Sequence, residues 1–141
     1  MRTLSDIDTV GVVGAGTMGS GIAQVAATAG YDVVMRDIED DLITSGFDRI
    51  DDSLSRFVEK EQLTRDEADA AVDRITGTTD LSDLGNCDYV IEAAVENMEI
   101  KRDIFADLDE AVDDDVILAT NTSTLSITTI ASATERPELV V

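Results

Sequence analysis

The fold is decided by the stretch Val10-Gly11-Val12-Val13-Gly14-Ala15-Gly16-Thr17-Met18-Gly19. Its first four residues form an apolar run that is typical of a buried strand. The next six carry glycines in a G-x-G-x-x-G pattern, and an apolar helical face follows as far as Gly30. Residues 31–35 then form a second apolar run. This strand–turn–helix–strand order, within about 30 residues, predicts a parallel sheet with a right-handed crossover.

The rest of the chain continues the alternation of helices and strands. Residues 38–75 have a charged, helical pattern and predict a helical hairpin longer than a crossover helix requires. Thr64 and Glu67 fit a capping box at the start of its second helix. Strands are predicted over residues 76–79, 88–95 and 116–119, helices over 100–112 and 126–133, and the beginning of one more strand over 139–141. We therefore expect an α/β fold with a doubly wound, mainly parallel sheet and an inserted helical hairpin.

The composition limits the classes of function. The 141 residues suit one domain, and 43% of them are hydrophobic, which is enough for a core and argues against disorder. The formal charge of −21 disfavours binding to nucleic acid or to an anionic membrane surface. No apolar run is long enough to span a bilayer, and the first residues do not resemble a secretory signal. With no His and only Cys87, neither a disulfide nor a metal site is expected.

The acidity itself has two interpretations. Excess carboxylates keep a protein dissolved in concentrated salt, which screens their repulsion, or they form a face for a basic partner. The carboxylates are spread along the chain, and only Lys60 and Lys101 are lysines. We therefore favour a salt-adapted protein of the cytoplasm.

The glycine pattern points to a dinucleotide. Gly14 permits a sharp turn, Gly16 lets a pyrophosphate approach the backbone, and Gly19 allows close packing of helix and strand. The N-terminus of the helix offers free N–H groups to the phosphates. Asp37, at the end of the second strand, can accept hydrogen bonds from the ribose and would repel a 2′-phosphate, which favours NAD despite the neighbouring Arg36. The alternative is a Gly-rich turn that binds no dinucleotide.

Polar residues follow two later strands, where ligands of open α/β sheets bind. After the strand that begins at Val116 come Asn121, Thr122, Ser123, Thr124 and Ser126. They could orient a nicotinamide or a substrate, or they could cap the next helix. Glu92, Glu96, Glu99 and Lys101 surround the exit of the preceding strand. A carboxylate there could bind a ribose, act as a base or begin a helix.

Three further residues have weaker signals. Lys60 in the hairpin could contact a phosphate, although a solvated lysine is the commoner explanation. Cys87 is expected to be a small buried residue. Met18, although part of the glycine motif, is expected to pack rather than act as a ligand.

Three motifs together resemble the 3-hydroxyacyl-CoA dehydrogenase family. They are the Gly-rich opening, the segment Ile91-Glu92-Ala93-Ala94-Val95-Glu96-Asn97, and the segment Ala119-Thr120-Asn121-Thr122-Ser123-Thr124-Leu125-Ser126-Ile127. They occur in the family's order, with the hairpin between the first two, and cover essentially the whole chain. The first motif alone is shared with many hydroxyacid dehydrogenases, whereas the combination is specific.

The resemblance implies a Rossmann-type NAD-binding domain and roles for single residues. NAD contacts are implied at Gly14, Ala15, Gly16, Thr17, Met18, Gly19, Asp37, Glu96, Lys101 and Asn121. Ser123 would lie between the nicotinamide and the 3-oxygen of the substrate, and Ser53 and Lys60 would hold its CoA portion. The family oxidises 3-hydroxyacyl-CoA to 3-ketoacyl-CoA with NAD, in fatty-acid and butanoate metabolism.

The chain departs from the family because the catalytic base that the resemblance implies is not among its residues. A His–Glu pair removes the hydroxyl proton in the family, and the His follows the strand that begins at Leu139. We expect that this pair and the C-terminal dimerisation domain are missing and that the 141-residue chain alone has negligible activity. A non-catalytic NAD-binding module or truncated product, and a dehydrogenase of small free hydroxyacids, are the alternatives. Thr124 stands where many relatives have Ser.

Overall fold

Five parallel strands form one sheet in the computed structural model, which describes residues 2–141. The strands are β1 (Thr9–Val13), β2 (Asp32–Arg36), β3 (Ile75–Thr78), β4 (Tyr89–Glu92) and β5 (Ile117–Thr120). The helices are α1 (Thr17–Thr28), α2 (Asp40–Glu59), α3 (Arg65–Asp73), α4 (Met98–Ala111) and α5 (Ile127–Ala131). The strands lie side by side in the order β3-β2-β1-β4-β5, so successive strands are added on one side of β1 and then, from β4 onwards, on its other side. The expected doubly wound α/β fold is therefore confirmed.

The core lies on both faces of the sheet. Val12 and Met35 belong to an apolar cluster that includes residues of α1, α2 and α3. Val13, Phe105 and Leu108 belong to a second cluster on the side of α4 and α5. β1 is buried by helices on both faces, which explains why its sequence is a continuous apolar run rather than an alternating one.

The insertion between β2 and β3 is a pair of helices, α2 and α3, that pack against each other and against α1. The predicted capping box begins α3: Glu67 N donates to Thr64 Oγ1, and Thr64 N donates to Glu67 Oε1, each at 3.1 Å. The hairpin is therefore anchored on the α1 side of the sheet, beside the Gly-rich loop.

Several boundaries differ from the sequence prediction. β4 ends at Glu92 rather than at residue 95, because Asn97 caps α4 with its side chain and the helix begins at Met98. A 3-10 helix, Leu81–Leu84, was not predicted. Val140 forms a parallel bridge with Leu118, consistent with the strand predicted to begin near residue 139.

None of the helices within residues 2–141 combines the length and apolar character that crossing a bilayer requires. Cys87 is buried, as predicted, and burial raises the pKa of its thiol to about 12.

Candidate functional site

The Gly-rich loop turns sharply as the chain leaves β1. Gly14 has a φ of +115°, a conformation that residues with a side chain rarely adopt. A Cβ at Gly14 would also lie 2.6 Å from the carbonyl oxygen of Ala93, in the loop after β4. The first glycine of the motif is therefore required both by the turn and by the neighbouring strand.

The other two motif glycines have different surroundings. A Cβ at Gly19 would lie 1.9 Å from the carbonyl oxygen of Gly14, so α1 approaches the loop closely only because this position is glycine. A Cβ at Gly16 would meet no atom within 4 Å. Gly16 is also the N-cap of α1 and forms no side-chain cap. The loop thus leaves open space directly in front of a helix N-terminus, which suits a phosphate group.

A crevice of about 590 Å³ extends from this space towards Asp37. Gly14, Gly16, Thr17 and Met18 line one side of it. Ala93 and Ala94, after β4, line another side, so the crevice opens where the strand order reverses.

Asp37 points into this crevice. Its Oδ2 accepts a hydrogen bond from Ala15 N at 2.8 Å, and its Oδ1 accepts one from Ile38 N at 2.7 Å. At the same residue, Arg49 of α2 donates to the Ala15 carbonyl at 3.2 Å. Arg36 donates instead to the carbonyl of Thr79 at 3.1 Å. The loop is therefore held by two oppositely charged side chains, and Arg49 is a participant that the sequence did not reveal.

A buried ion pair lies at the end of β4. Glu92 and Lys101 have no measurable exposure, and their Oε2 and Nζ atoms are 2.6 Å apart. Glu92 also accepts hydrogen bonds from Ala94 N and from Thr120 Oγ1, both at 2.7 Å. The sequence suggested a ribose ligand, a base or a helix start for Glu92. It is instead an enclosed acceptor that joins β4, α4 and β5.

Glu96 extends this network to the surface. It accepts hydrogen bonds from Thr122 Oγ1 at 2.7 Å and Thr124 Oγ1 at 2.9 Å, and Lys101 Nζ lies 3.4 Å from its Oε1. These hydroxyl groups, with the charge of Lys101, lower the pKa of Glu96. Thr124 stands where many relatives have Ser, and it supplies the same hydroxyl group that a serine would. This departure from the family pattern therefore keeps the hydrogen bond to Glu96.

A second cavity, of about 310 Å³, adjoins the network. Its lining includes Met18, Glu96, Lys101, Asn121 and Ser123. Met18 also lines the first crevice and is 57% exposed, so it is not a packed side chain, and its contact with a cofactor stays a prediction. Most of the residues for which the resemblance implies NAD contacts therefore line two adjoining cavities. Ala15 and Gly19 are buried and line neither of them.

The polar residues after β5 form two groups. Some make hydrogen bonds within the protein, and others are exposed to the cavity. Ser126 caps α5 by accepting a hydrogen bond from Thr129 N at 3.2 Å. Thr122 and Thr124 bind Glu96. Asn121 and Ser123 are exposed and face the cavity. The helix-capping interpretation is therefore confirmed for Ser126, and a contact of Asn121 or Ser123 with a nicotinamide or a substrate stays a prediction.

Ser53 and Lys60 lie apart from these cavities, on α2. Together with Arg56 and Phe57 they line a small cavity of about 190 Å³. Ser53 Oγ accepts a hydrogen bond from Gln24 Nε2 of α1 at 2.9 Å. The cavity has two cationic side chains, and Arg56 is one that the sequence analysis did not single out.

Comparison with known proteins agrees with this geometry. The sequence profile described as "3-hydroxyacyl-CoA dehydrogenase, NAD binding domain" matches residues 9–141. The chain belongs to the 3-hydroxyacyl-CoA dehydrogenase family. It corresponds to the NAD-binding domain of that family, as the sequence resemblance implied, and NAD is the cofactor of the domain.

Individual relatives show how much of the family's length the chain spans. It is 48% identical over 132 residues to a 3-hydroxybutyryl-CoA dehydrogenase of Bradyrhizobium diazoefficiens, which covers 94% of this chain and 45% of the relative. It is 41% identical over 135 residues to a 3-hydroxyadipyl-CoA dehydrogenase of Escherichia coli, covering 96% and 28%. The crystal structure of (S)-3-hydroxybutyryl-CoA dehydrogenase from Ralstonia eutropha superposes with a TM-score of 0.92 at 46% identity, covering 95% and 47%. The chain thus spans half or less of the length of these relatives.

Proposed function

We propose that this chain binds NAD in the crevice between β1, β2 and β4 and is the cofactor-binding part of an NAD-dependent 3-hydroxyacyl-CoA dehydrogenase. The observation that carries the proposal is the placement of two groups in one crevice. Gly16 leaves space in front of the N-terminus of α1, and the Asp37 carboxylate faces the same crevice. A pyrophosphate at the first position and a ribose at the second fit this arrangement.

Different residues would bind different parts of the cofactor. The backbone from Gly14 to Gly19 would bind the pyrophosphate, and Asp37 would accept hydrogen bonds from the adenosine ribose. Glu96 and Asn121, around the second cavity, would contact the nicotinamide half. Lys101, which is buried in its ion pair with Glu92, would position Glu96 rather than contact the cofactor itself. NAD, when bound, supplies the hydride acceptor, and the protein supplies its position.

The substrate side of the proposal rests on hydroxyl and ammonium groups that line two of the cavities. Ser123 would orient the 3-oxygen of the substrate beside the nicotinamide, because it faces the cavity that Lys101 and Asn121 share. Ser53 and Lys60 would hold the CoA portion. The substrate class is therefore 3-hydroxyacyl-CoA, as in the relatives' names.

The proton of the substrate hydroxyl needs a base that these residues do not offer. The 141 residues contain no histidine, the side chain that titrates near neutral pH. Glu92 is enclosed by Lys101 and Thr120, and the pKa of Glu96 is lowered, so both carboxylates are poor bases. We expect the 141-residue chain to bind NADH and to reduce acetoacetyl-CoA negligibly.

Two measurements on one sample test this. NADH fluorescence titration should show saturable binding, and addition of acetoacetyl-CoA should then leave the NADH concentration almost unchanged. Absence of NADH binding would overturn the cofactor proposal, whereas rapid oxidation would show that a histidine is not required. Binding of free 3-hydroxybutyrate but not of CoA thioesters would favour the small-hydroxyacid alternative.

We also propose that the protein works in a salt-rich cytoplasm. The support is its excess of 31 acidic over 10 basic side chains, spread along the chain. Because salt screens the repulsion between carboxylates, the midpoint of thermal unfolding should rise as KCl increases from millimolar to molar concentrations. A midpoint that is independent of salt would contradict this.

A further inference from the structure

Glu96 is the exposed charge on the second cavity. Of the side chains that line this cavity, Glu96 and Lys101 are the charged ones. The side chain of Glu96 is 51% exposed, whereas that of Lys101 is 1% exposed. The cavity therefore presents a carboxylate to a ligand, and the ammonium group is enclosed.

Lys101 does not cancel the charge of Glu96, because it is shared between two carboxylates. Its Nζ lies 2.6 Å from Glu92 Oε2 and 3.4 Å from Glu96 Oε1. Glu92 also accepts hydrogen bonds from Ala94 N and Thr120 Oγ1, and such donors favour its ionised form. The two carboxylates and one ammonium group thus leave one negative charge in the network.

Neutral groups fix the position of this negative charge. Thr122 and Thr124 each donate a hydroxyl hydrogen bond to Glu96 Oε2, at 2.7 and 2.9 Å. The lowered pKa of Glu96 means that its carboxyl group is ionised at neutral pH. Hydroxyl groups orient a carboxylate without neutralising it. The charge is therefore held at a defined place beside the cavity.

A nicotinamide changes its charge when it is reduced. Oxidation of a hydroxyl-bearing carbon transfers a hydride, one proton with two electrons, to the ring and releases the hydroxyl proton. The ring is positively charged in NAD and neutral in NADH. A nearby carboxylate therefore attracts the oxidised ring and lacks this attraction to the reduced one.

We propose that the Glu96 carboxylate favours the oxidised nicotinamide, so that it shifts the ratio of the two Kd values towards NAD and lowers the reduction potential of the bound cofactor. The inference rests on the proposed function, because it takes the second cavity as the nicotinamide site. The sequence resemblance implies only a contact between Glu96 and NAD, whereas the network assigns a consequence to the charge. Bound NADH is then a stronger hydride donor, and it is released more readily, than it would be without this carboxylate.

The test compares two variants that lose the same charge, in about 1 M KCl. Glu96→Gln removes the carboxylate from the cavity and keeps a side chain of the same size. Glu110→Gln removes an exposed carboxylate near the C-terminal end of α4, and Glu110 lines neither cavity. At this salt concentration the Debye length is about 3 Å, so carboxylates far from the ligand are screened. Fluorescence titration gives the Kd of NADH, and competition with NADH gives the Kd of NAD.

The two variants should respond differently. Glu96→Gln should raise the ratio of the Kd of NAD to the Kd of NADH about fivefold, and Glu110→Gln should leave it unchanged. For a two-electron couple, this fivefold change raises the potential of the bound cofactor by about 20 mV. ADP-ribose, which lacks the nicotinamide, should bind equally to both variants and to the unchanged chain.

Three results would overturn the inference. Equal changes of the ratio in both variants would make overall charge the cause. An equal rise of both Kd values in Glu96→Gln would indicate a lost hydrogen bond rather than a lost charge. A loss of ADP-ribose affinity as large as that of NAD would place Glu96 away from the nicotinamide.

NADH binding to the unchanged chain separates this inference from the cofactor proposal. If the chain binds NADH but the ratio does not respond to Glu96→Gln, the inference fails and the cofactor proposal stands. If the chain binds neither form of the cofactor, the cofactor proposal fails and this inference fails with it.

Discussion

The Gly-rich loop and the network at the ends of β4 and β5 are adjacent, yet they are built in opposite ways. The loop is made of backbone, and its shape depends on glycines whose missing side chains leave room. The network is made of side chains, with Glu92 and Lys101 completely buried. The loop requires open space, and the network requires that each buried charge has a partner. Substitutions in the two regions should therefore have different effects.

The largest effect is expected in the network. Lys101→Met leaves the Glu92 carboxylate buried without its cation, which should lower the free energy of unfolding by about 3–5 kcal/mol. Urea unfolding monitored by circular dichroism measures the loss in the absence of cofactor.

The double variant Glu92→Gln with Lys101→Met is the control for this loss. It removes both charges, so it should recover a substantial part of the stability. A single-variant loss below about 1 kcal/mol would show that water reaches Glu92 and that the network is not tightly paired.

The loop should respond according to which glycine changes. Gly19→Ala places a methyl group against the Gly14 carbonyl and should cost about 1–3 kcal/mol of stability while weakening NADH binding. Gly16→Ala meets no protein atom, so its stability should stay within about 0.5 kcal/mol. Its methyl group would occupy the space proposed for the pyrophosphate and should raise the Kd of NADH about tenfold.

Paired urea and NADH titrations of both variants measure these effects. An unchanged Kd for Gly16→Ala would show that the phosphates bind elsewhere, whatever happens to Gly19→Ala.

A smaller effect is expected for the acid that faces the loop. Asp37→Asn keeps an oxygen that can accept from Ala15 N but loses the charge. NADH should bind about fivefold more weakly, and NADPH should lose less affinity because the repulsion of its 2′-phosphate is removed. The ratio of the two Kd values measures the change. An identical ratio in both proteins would mean that Asp37 does not discriminate between the cofactors.

The smallest effect concerns the surface end of the network. Thr122→Val removes one of the hydroxyl groups that lower the pKa of Glu96, so that pKa should rise towards its ordinary value. A carboxylate with a lowered pKa stabilises the fold above its unfolded pKa, and this contribution is lost as the pH falls through the folded value. The variant should therefore lose less stability on acidification.

Carboxyl NMR titration measures the pKa of Glu96 directly. Thr128→Val, an exposed change in α5, should leave it unaltered. An unchanged pKa in Thr122→Val would mean that the hydrogen bond to Glu96 contributes little.

Much of the fold was predictable because its signals are local. The apolar runs of β1 and β2, the glycine spacing and the Thr64–Glu67 capping box each lie within a few residues, and the structure confirms them. Boundaries were less predictable where a side chain ends an element. Because the side chain of Asn97 caps α4, the helix begins earlier than the spacing of its apolar residues indicated, and β4 is correspondingly shorter.

The site was predictable only in part, for the same reason. Asp37 has a fixed distance in sequence from the glycines, so its place in the crevice could be inferred. The pairing of Glu92 with Lys101 crosses a strand, a loop and a helix, and Arg49 approaches Ala15 from a different element. Such contacts depend on tertiary packing, which leaves no pattern in the sequence. Lys60 and Lys101 illustrate this, since one is exposed and the other is enclosed.

Helix α2 carries Arg49 against the cofactor loop and Arg56 beside the cavity proposed for CoA. The seven residue steps between them span about 10 Å at 1.5 Å per residue. Gly46 brings the same helix against Ala15, where a Cβ would lie 2.9 Å from the carbonyl oxygen. A one-residue insertion between Arg49 and Arg56 would rotate the later cation by about 100° around the axis. The length of α2 therefore fixes how far apart, and in which direction, two ligands can be held on this domain.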